Sequence, residues 1–161
     1  MAKLVYYSFH YGNDAWRVQQ IVNLGLLQGQ TILTPRDWET VKHHGDTGIT
    51  NWIDKQMVHK SAVVVLIGSD TASRSWVKYE IEKAWNEKKP IVGIRIHALA
   101  DSYGAIGLEG ASPFTQVSLK HDETLADLVP VYTPWGATST DIIADIAVNI
   151  LNWVNSAYQR R

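Results

Sequence analysis

Apolar runs and turn residues alternate along this chain in a strand–helix rhythm. Residues 4–9, Leu-Val-Tyr-Tyr-Ser-Phe, predict a first strand, and Gly12-Asn13-Asp14 then punctuates the chain, with Asn13 or Asp14 placed to cap a helix. Ala15, Trp16, Val18, Ile21 and Val22 fit one packed helical face, which ends in the glycine-containing turn near Gly25 and Gly29. Thr31-Ile32-Leu33-Thr34 predicts a short second strand stopped by Pro35, and residues 35–48 read as a long polar connection. Ile49, Trp52, Ile53 and Met57 fit a second helix. The unbroken run Ala62-Val63-Val64-Val65-Leu66-Ile67 suits a strand in the middle of a parallel sheet. A third helix from about Ser75 must stop before Lys88-Lys89-Pro90, because proline disfavours helix in the residue before it. Residues 91–96 then predict a fourth strand.

Beyond that point the rhythm stutters. Residues 97–114 read mostly as loop, with a fifth strand near residues 116–119, and residues 122–136 carry no clear pattern. A final helix is plain: Ser139 or Thr140 is placed to cap it, and Ile142, Ile143, Ile146, Ile150, Leu151 and Val154 form a broad apolar face. Strands alternating with helices predict an α/β fold, a flavodoxin-like open parallel sheet of about five strands in the order 2-1-3-4-5, with helices on both faces. One domain over residues 1–161 is expected. In such a sheet the ligand crevice lies where the strand order reverses, between strands one and three. Residues 8–11 and 68–70 should meet there, together with the helix that follows strand three.

Composition narrows the classes of function. Of 161 residues 45% are apolar and the formal net charge is -1, so the chain is globular and has no electrostatic case for nucleic acid or an anionic membrane as partner. There is no cysteine, which removes disulfide and thiolate chemistry and fits a reducing cytoplasm. The Met1-Ala2-Lys3 start leads straight into the first strand without the apolar stretch of a signal peptide. His43-His44 lacks the spacing of a helical metal pair, so no metal is expected. Gly104, Gly107 and Gly110 lack the strand–turn–helix setting of a dinucleotide fingerprint. Asp70 has no acidic partner at the end of strand one to hold magnesium, which argues against a phosphoacceptor. Seven tryptophans in so small a chain favour an aromatic stacking pocket.

The third helix opens Ser75-Trp76-Val77-Lys78-Tyr79-Glu80-Ile81. At about 100° per residue its apolar stripe is Val77, Ile81, Ala84 and Trp85, and Glu80 lies roughly 85° from the stripe's centre on the side of Trp76. That makes Glu80 a boundary residue. Two readings follow: a solvated acid near a helix N-terminus, or a carboxylate aimed into the crevice.

Tyr6-Tyr7-Ser8-Phe9 at the end of strand one resembles the first box of Toll/interleukin-1 receptor (TIR) domains. Residues 63–69 followed by Trp76 and, four residues on, Glu80 resemble the TIR segment that carries the catalytic glutamate of NAD-cleaving members. With Arg36-Asp37-Trp38, Ser112-Pro113-Phe114 and the terminal helix around Trp153, the whole chain is similar to bacterial TIR-like proteins of the Thoeris antiphage system, the ThsB type. The loop at residues 35–48 is unlike that of animal receptor TIR domains, so receptor-style adaptor contacts do not carry over.

The resemblance implies cleavage of the nicotinamide–ribose bond of NAD+, with Glu80 as the catalytic carboxylate. NAD+ is then a substrate and no resident cofactor is implied. Nicotinamide is cationic while attached and leaves neutral, so a lone carboxylate that stabilises the ribosyl cation suffices, whereas ordinary glycosidases need two carboxyl groups. The resemblance further implies ring closure to a cyclic ADP-ribose isomer, which acts as a diffusible signal on a separate effector protein, with a homo-oligomer as a possible assembly. Phe9, Tyr11, Trp38 and Trp76 are candidate pocket walls; taken singly, aromatic residues are packing residues first, with Trp38 the exception because it sits in a polar stretch with little reason for burial. Ser8 and His10 are candidate donors to ribose or phosphate, although Ser8 also simply ends a strand. Two other readings stand beside this one: a non-catalytic TIR interaction module, and a nucleoside deoxyribosyltransferase-like enzyme.

Overall fold

The computed structural model describes residues 3–161, apart from the side chain of Pro35. Met1 and Ala2, read above as the lead-in to the first strand, lie outside the described residues. Five parallel strands form one sheet: β1 (Lys3–Ser8), β2 (Leu27–Gly29), β3 (Ala62–Ile67), β4 (Ile91–Arg95) and β5 (Val131–Tyr132). Their order is β2-β1-β3-β4-β5, as the alternating pattern predicts, and all four pairings are parallel. The helices are α1 (Tyr11–Val22), α2 (Pro35–His43), α3 (Gly45–Met57), α4 (Ser75–Asn86) and α5 (Ser139–Asn155).

The two-residue period of β3 sorts the core into two layers. Ala62, Val64 and Leu66 face α1 and α5, where Val18, Ile21, Ile146 and Ile150 pack. Val63, Val65 and Ile67 face α3 and α4, where Ile49, Ile53, Val77 and Ile81 pack. On β1 the same alternation sends Val5 and Tyr7 to the first layer and Tyr6 to the second. All six residues of β3 are buried, which is why its sequence is apolar without alternation.

Several elements differ from the sequence expectation. The second strand is Leu27–Gly29, upstream of residues 31–34. Leu27 provides the buried anchor that pairs opposite Lys3, whereas Ile32 and Leu33 sit half-buried at the edge of a cleft. Residues 35–48 are not a loop but α2 and the start of α3. Thr34 caps α2 through its hydroxyl, which accepts from the Asp37 N–H at 3.1 Å, and Pro35 occupies the first helical position, where its missing N–H costs nothing. The helix reads as polar because little of it is covered: Trp38 and Val41 are its packed apolar residues. Gly45, at φ +71, turns the chain from α2 into α3. The fifth strand lies at Val131–Tyr132, not at residues 116–119, where a 3-10 turn (Pro113–Gln116) and one isolated bridge, Ser118↔Thr124, replace it. Val117 there packs into the α3/α4 layer and extends no ladder. Helix α1 begins after His10, whose side chain makes no capping bond, not after Asn13 or Asp14, and α5 is capped by Thr138, whose hydroxyl accepts from the Asp141 N–H at 3.2 Å, not by Ser139 or Thr140. Among the described residues no helix is long and apolar enough to cross a membrane.

Candidate active site

The carboxyl ends of β1 and β3 and the first turns of α4 meet at the point where strand order reverses. Glu80, in the second turn of α4, points at β1. Its Oε1 accepts from the Ser8 hydroxyl at 2.8 Å and its Oε2 accepts from the Tyr6 hydroxyl. Tyr6 and Ser8 lie two apart on a strand and so share a face. Glu80 is only 7% exposed, a correction to its expected boundary position. Helical arithmetic places a side chain relative to its own helix, but the burial comes from β1, whose two hydroxyls roof the flank of α4 that would otherwise meet water. Burial pushes the Glu80 carboxyl up to about 8, while the hydrogen bonds from Tyr6 and Ser8 pull it down. The Tyr6 hydroxyl is held well above its ordinary value, first by burial and then by the neighbouring Glu80 charge.

A narrow cavity of about 50 Å3 reaches Glu80, lined among others by Phe9, Tyr11, Gln30, Trp38, Trp52 and Trp76. Aromatic rings form one wall as a chain. Phe9 lies 5.8 Å from Tyr11, Tyr11 lies 5.2 Å from Trp38, and Trp38 meets Trp52 edge-on at 6.1 Å between centroids. Trp76 also lines the cavity, edge-on to Tyr79 at 5.7 Å between centroids. The cavity opens into an outer cleft of about 570 Å3 that shares Phe9, Tyr11, Trp38 and Trp76 and adds His10, Lys42, Arg74 and the start of α4. That volume falls in the range of ordinary small-molecule sites. Helix α4 begins there with no side-chain cap on its first N–H groups, and such a helix end favours negative charge.

The structure therefore gathers Phe9, Tyr11, Trp38 and Trp76 with Glu80 around one cavity, and places Ser8 behind the carboxylate as its hydrogen-bond donor. His10 stands apart from this group, in the outer cleft only. Burial, followed by the Arg74 charge, lowers the His10 imidazole below its ordinary value, and Asp70 opposes them. Trp38, expected in an exposed polar loop, is a half-buried helical residue packed at a tilt against Tyr11. Tyr6, Gln30 and Trp52 escaped the sequence reading, in which Trp52 is a packing residue of its helix. Tyr6 carried a usable signal, since it shares its strand face with Ser8. Gln30 carried none: a glutamine after a short strand looks like any loop residue.

The far side of the same strand ends is built differently. Asp14, 1% exposed, pairs with Arg17 at 2.9 Å, and its Oδ2 has no hydrogen-bond partner among the described residues. Burial raises the Asp14 carboxyl and Arg17 opposes this. Arg17 also donates to the backbone carbonyls of Leu99 at 2.7 Å and Ala105 at 3.1 Å. Gly110 lies so close to the β3 end that a Cβ there would come within 2.5 Å of the Gly68 and Ser69 carbonyl oxygens. No cluster of three or more His, Asp or Glu side chains that could hold a metal occurs among the described residues.

Residues 6–101 match the family model for the TIR-like domain of Thoeris protein ThsB. A curated relative from Bacillus cereus (strain MSX-D12), named "Putative cyclic ADP-D-ribose synthase ThsB1", is 33% identical over 126 residues. The match covers 75% of this chain and 66% of the relative, so a third of that protein's length has no counterpart in the match.

Proposed function

Because this chain belongs to the TIR-like family of Thoeris protein ThsB, we propose that it cleaves NAD+ at the nicotinamide–ribose bond and closes the remainder into a cyclic ADP-ribose isomer. The observation that carries the reading is Glu80: a buried carboxyl at the switch point of the sheet, held by two hydroxyls and lining an aromatic cleft. The name of the Bacillus cereus relative supports the cyclic product.

The geometry suits each step. The start of α4 with Arg74 and Lys42 gives the outer cleft the charge to receive a pyrophosphate. The aromatic chain offers faces on which adenine and nicotinamide can stack. Burial raises the Glu80 carboxyl to about 8, which favours its protonated form near neutral pH. The nicotinamidium ring brings a positive charge beside the carboxyl and favours its ionised form, the proton passing to solvent as the substrate seats. As the C–N bond breaks, the electron pair leaves with neutral nicotinamide and the positive charge moves to the ribosyl carbon, where the Glu80 carboxylate stabilises it. A nucleophile of the same molecule then forms the new bond to that carbon and gives up its proton, if it carries one, to solvent. Walls of tryptophan and tyrosine exclude the water that would otherwise capture the cation. The product acts on a separate effector in antiphage defence.

Mass spectrometry of products from purified protein and NAD+, alone and with phage-infected cell extract, tests this reading. A cyclic isomer of ADP-ribose with equimolar nicotinamide is expected. Free ADP-ribose as sole product overturns the cyclisation. Nicotinamide release that is unchanged in Glu80→Gln overturns the site.

A further inference from the structure

Strand β1 outruns its edge partner. Its pairing with β2 covers Lys3↔Leu27, Leu4↔Gln28 and Val5↔Gly29, while its pairing with β3 continues to Ser8↔Val65. Residues of a parallel strand turn their N–H and C=O alternately to one neighbour and the other. When β2 departs after Gly29, the main-chain groups of Tyr7 lose the partner they would have had. Tyr7 is 2% exposed, so water does not replace it.

The Gln30 side chain does. Tyr7 N–H donates to Gln30 Oε1 at 2.9 Å, and Gln30 Nε2 donates to the Tyr7 carbonyl at 2.8 Å. A carboxamide has one acceptor and one donor end, as a peptide group has, and here both are used. Gln30 is itself 6% exposed. The preceding residue is shaped to the same purpose: a Cβ on Gly29 would approach the Tyr7 ring to 2.2 Å. The residues flanking Tyr7 are Tyr6 and Ser8, the two donors to Glu80.

We propose that Gln30 is a positioning residue for Glu80: its carboxamide stands in for the strand partner that Tyr7 lacks and keeps β1 extended through Ser8, so that both hydroxyls meet the carboxylate at the place where β2 has left to open the cleft. Only the catalytic consequence rests on the NAD+-cleaving reading; the structural role stands without it. The chemistry is specific to the amide. Leucine offers neither end, and asparagine is one methylene short. A glutamic acid reproduces the pair only while protonated, since the ionised form has no proton to donate to the Tyr7 carbonyl.

The test compares wild type, Gln30→Leu, Gln30→Glu and, as a control on the exposed neighbouring position of β2, Gln28→Leu. Two readouts need no turnover: the hydrogen-exchange protection factor of the Tyr7 amide, and the NMR signal of the buried Tyr6 hydroxyl proton, assigned by its loss in Tyr6→Phe. In Gln30→Leu, Tyr7 protection falls about tenfold or more and the Tyr6 hydroxyl proton broadens. Gln28→Leu keeps both. Gln30→Glu, at a buried position that disfavours its charge, matches wild type while its carboxyl is protonated and resembles Gln30→Leu once it ionises, a pH dependence that general loosening would not produce. With NAD+, Gln30→Leu lowers kcat about tenfold while KM moves little. Unchanged Tyr7 protection, or an undisturbed Tyr6 hydroxyl despite lost protection, overturns the proposal. If Gln30→Leu does not fold, the pH comparison in Gln30→Glu decides. A wild type silent toward NAD+ overturns the proposed reaction and leaves the two NMR readouts to judge Gln30.

Discussion

The two halves of this sheet end in opposite ways. On the β3–β4 side the strand ends are sealed by backbone. The segment after β4 folds back so closely that Gly110 touches the Gly68 and Ser69 carbonyls, Gly93 lies under the Phe114 ring, and Arg95 donates to the Gly110 carbonyl at 2.7 Å. Arg17 fastens the same segment from α1. On the β1–β2 side the strands part, and side chains do what backbone does elsewhere: Gln30 completes a ladder, Tyr6 and Ser8 donate to the Glu80 carboxyl, and rings fill the gap. A sealed half tolerates glycine and main-chain contact, because nothing need enter. An open half must leave room for a ligand while side chains satisfy the strand groups that the parting unpairs. The difference locates the chemistry better than the aromatic count does, since tryptophans occur on both sides.

Four measurements press on this contrast. The largest effect is expected at Glu80 itself: Glu80→Ala should lower nicotinamide release by about a thousandfold, the scale of removing a principal electrostatic stabiliser, with circular dichroism unchanged. Next is pH. The folded carboxyl titrates near 8 and the unfolded one near 4.5, so the folded state holds the proton between these values. Stability from this group is full below pH 4.5 and is lost as pH rises through 8. Between pH 5 and pH 9 wild type should lose on the order of 4 kcal/mol relative to Glu80→Gln, as read from urea unfolding. A flat difference would mean that the crevice is wet. The third strikes the sealed half: Gly110→Ala should cost about 1–3 kcal/mol, because its Cβ meets carbonyl oxygens that cannot move aside. Loss of the Tyr6 hydroxyl signal in that variant would show that the halves are coupled. The smallest is Trp38→Ala, which removes one ring of the outer wall and should raise KM for NAD+ by about 2–12-fold with little change in kcat.

The sealed and open halves were unequally legible in the sequence. Strands β1, β3 and β4 and helices α4 and α5 announce themselves because each buries a long apolar face, and their alternation was enough to predict the order of the sheet. Helix α2 hid because only Trp38 and Val41 turn inward, although Thr34-Pro35 with Asp37 carries the signature of a helix start. Strand β5 is two residues long and leaves no periodicity to detect. Glu80 was found by its spacing from Trp76, but its burial was not, since that depends on Tyr6 and Ser8 more than seventy positions earlier. Gln30 belongs to the same class: its partner is the main chain of Tyr7, and main chain has no letter in a sequence.

The brevity of the outermost strands has a consequence outside the molecule. Edge strands offer unpaired N–H and C=O groups to any other chain that can lie alongside, the usual route to intermolecular strand pairing. Here the edges are β2, three residues, and β5, two. A foreign strand finds too short a template on either side to gain a hold. A protein that opens its sheet to admit a ligand would otherwise expose an adhesive border in doing so. By ending β2 at Gly29 and letting a glutamine side chain finish the ladder, the chain opens the cleft and shortens its sticky margin in the same turn.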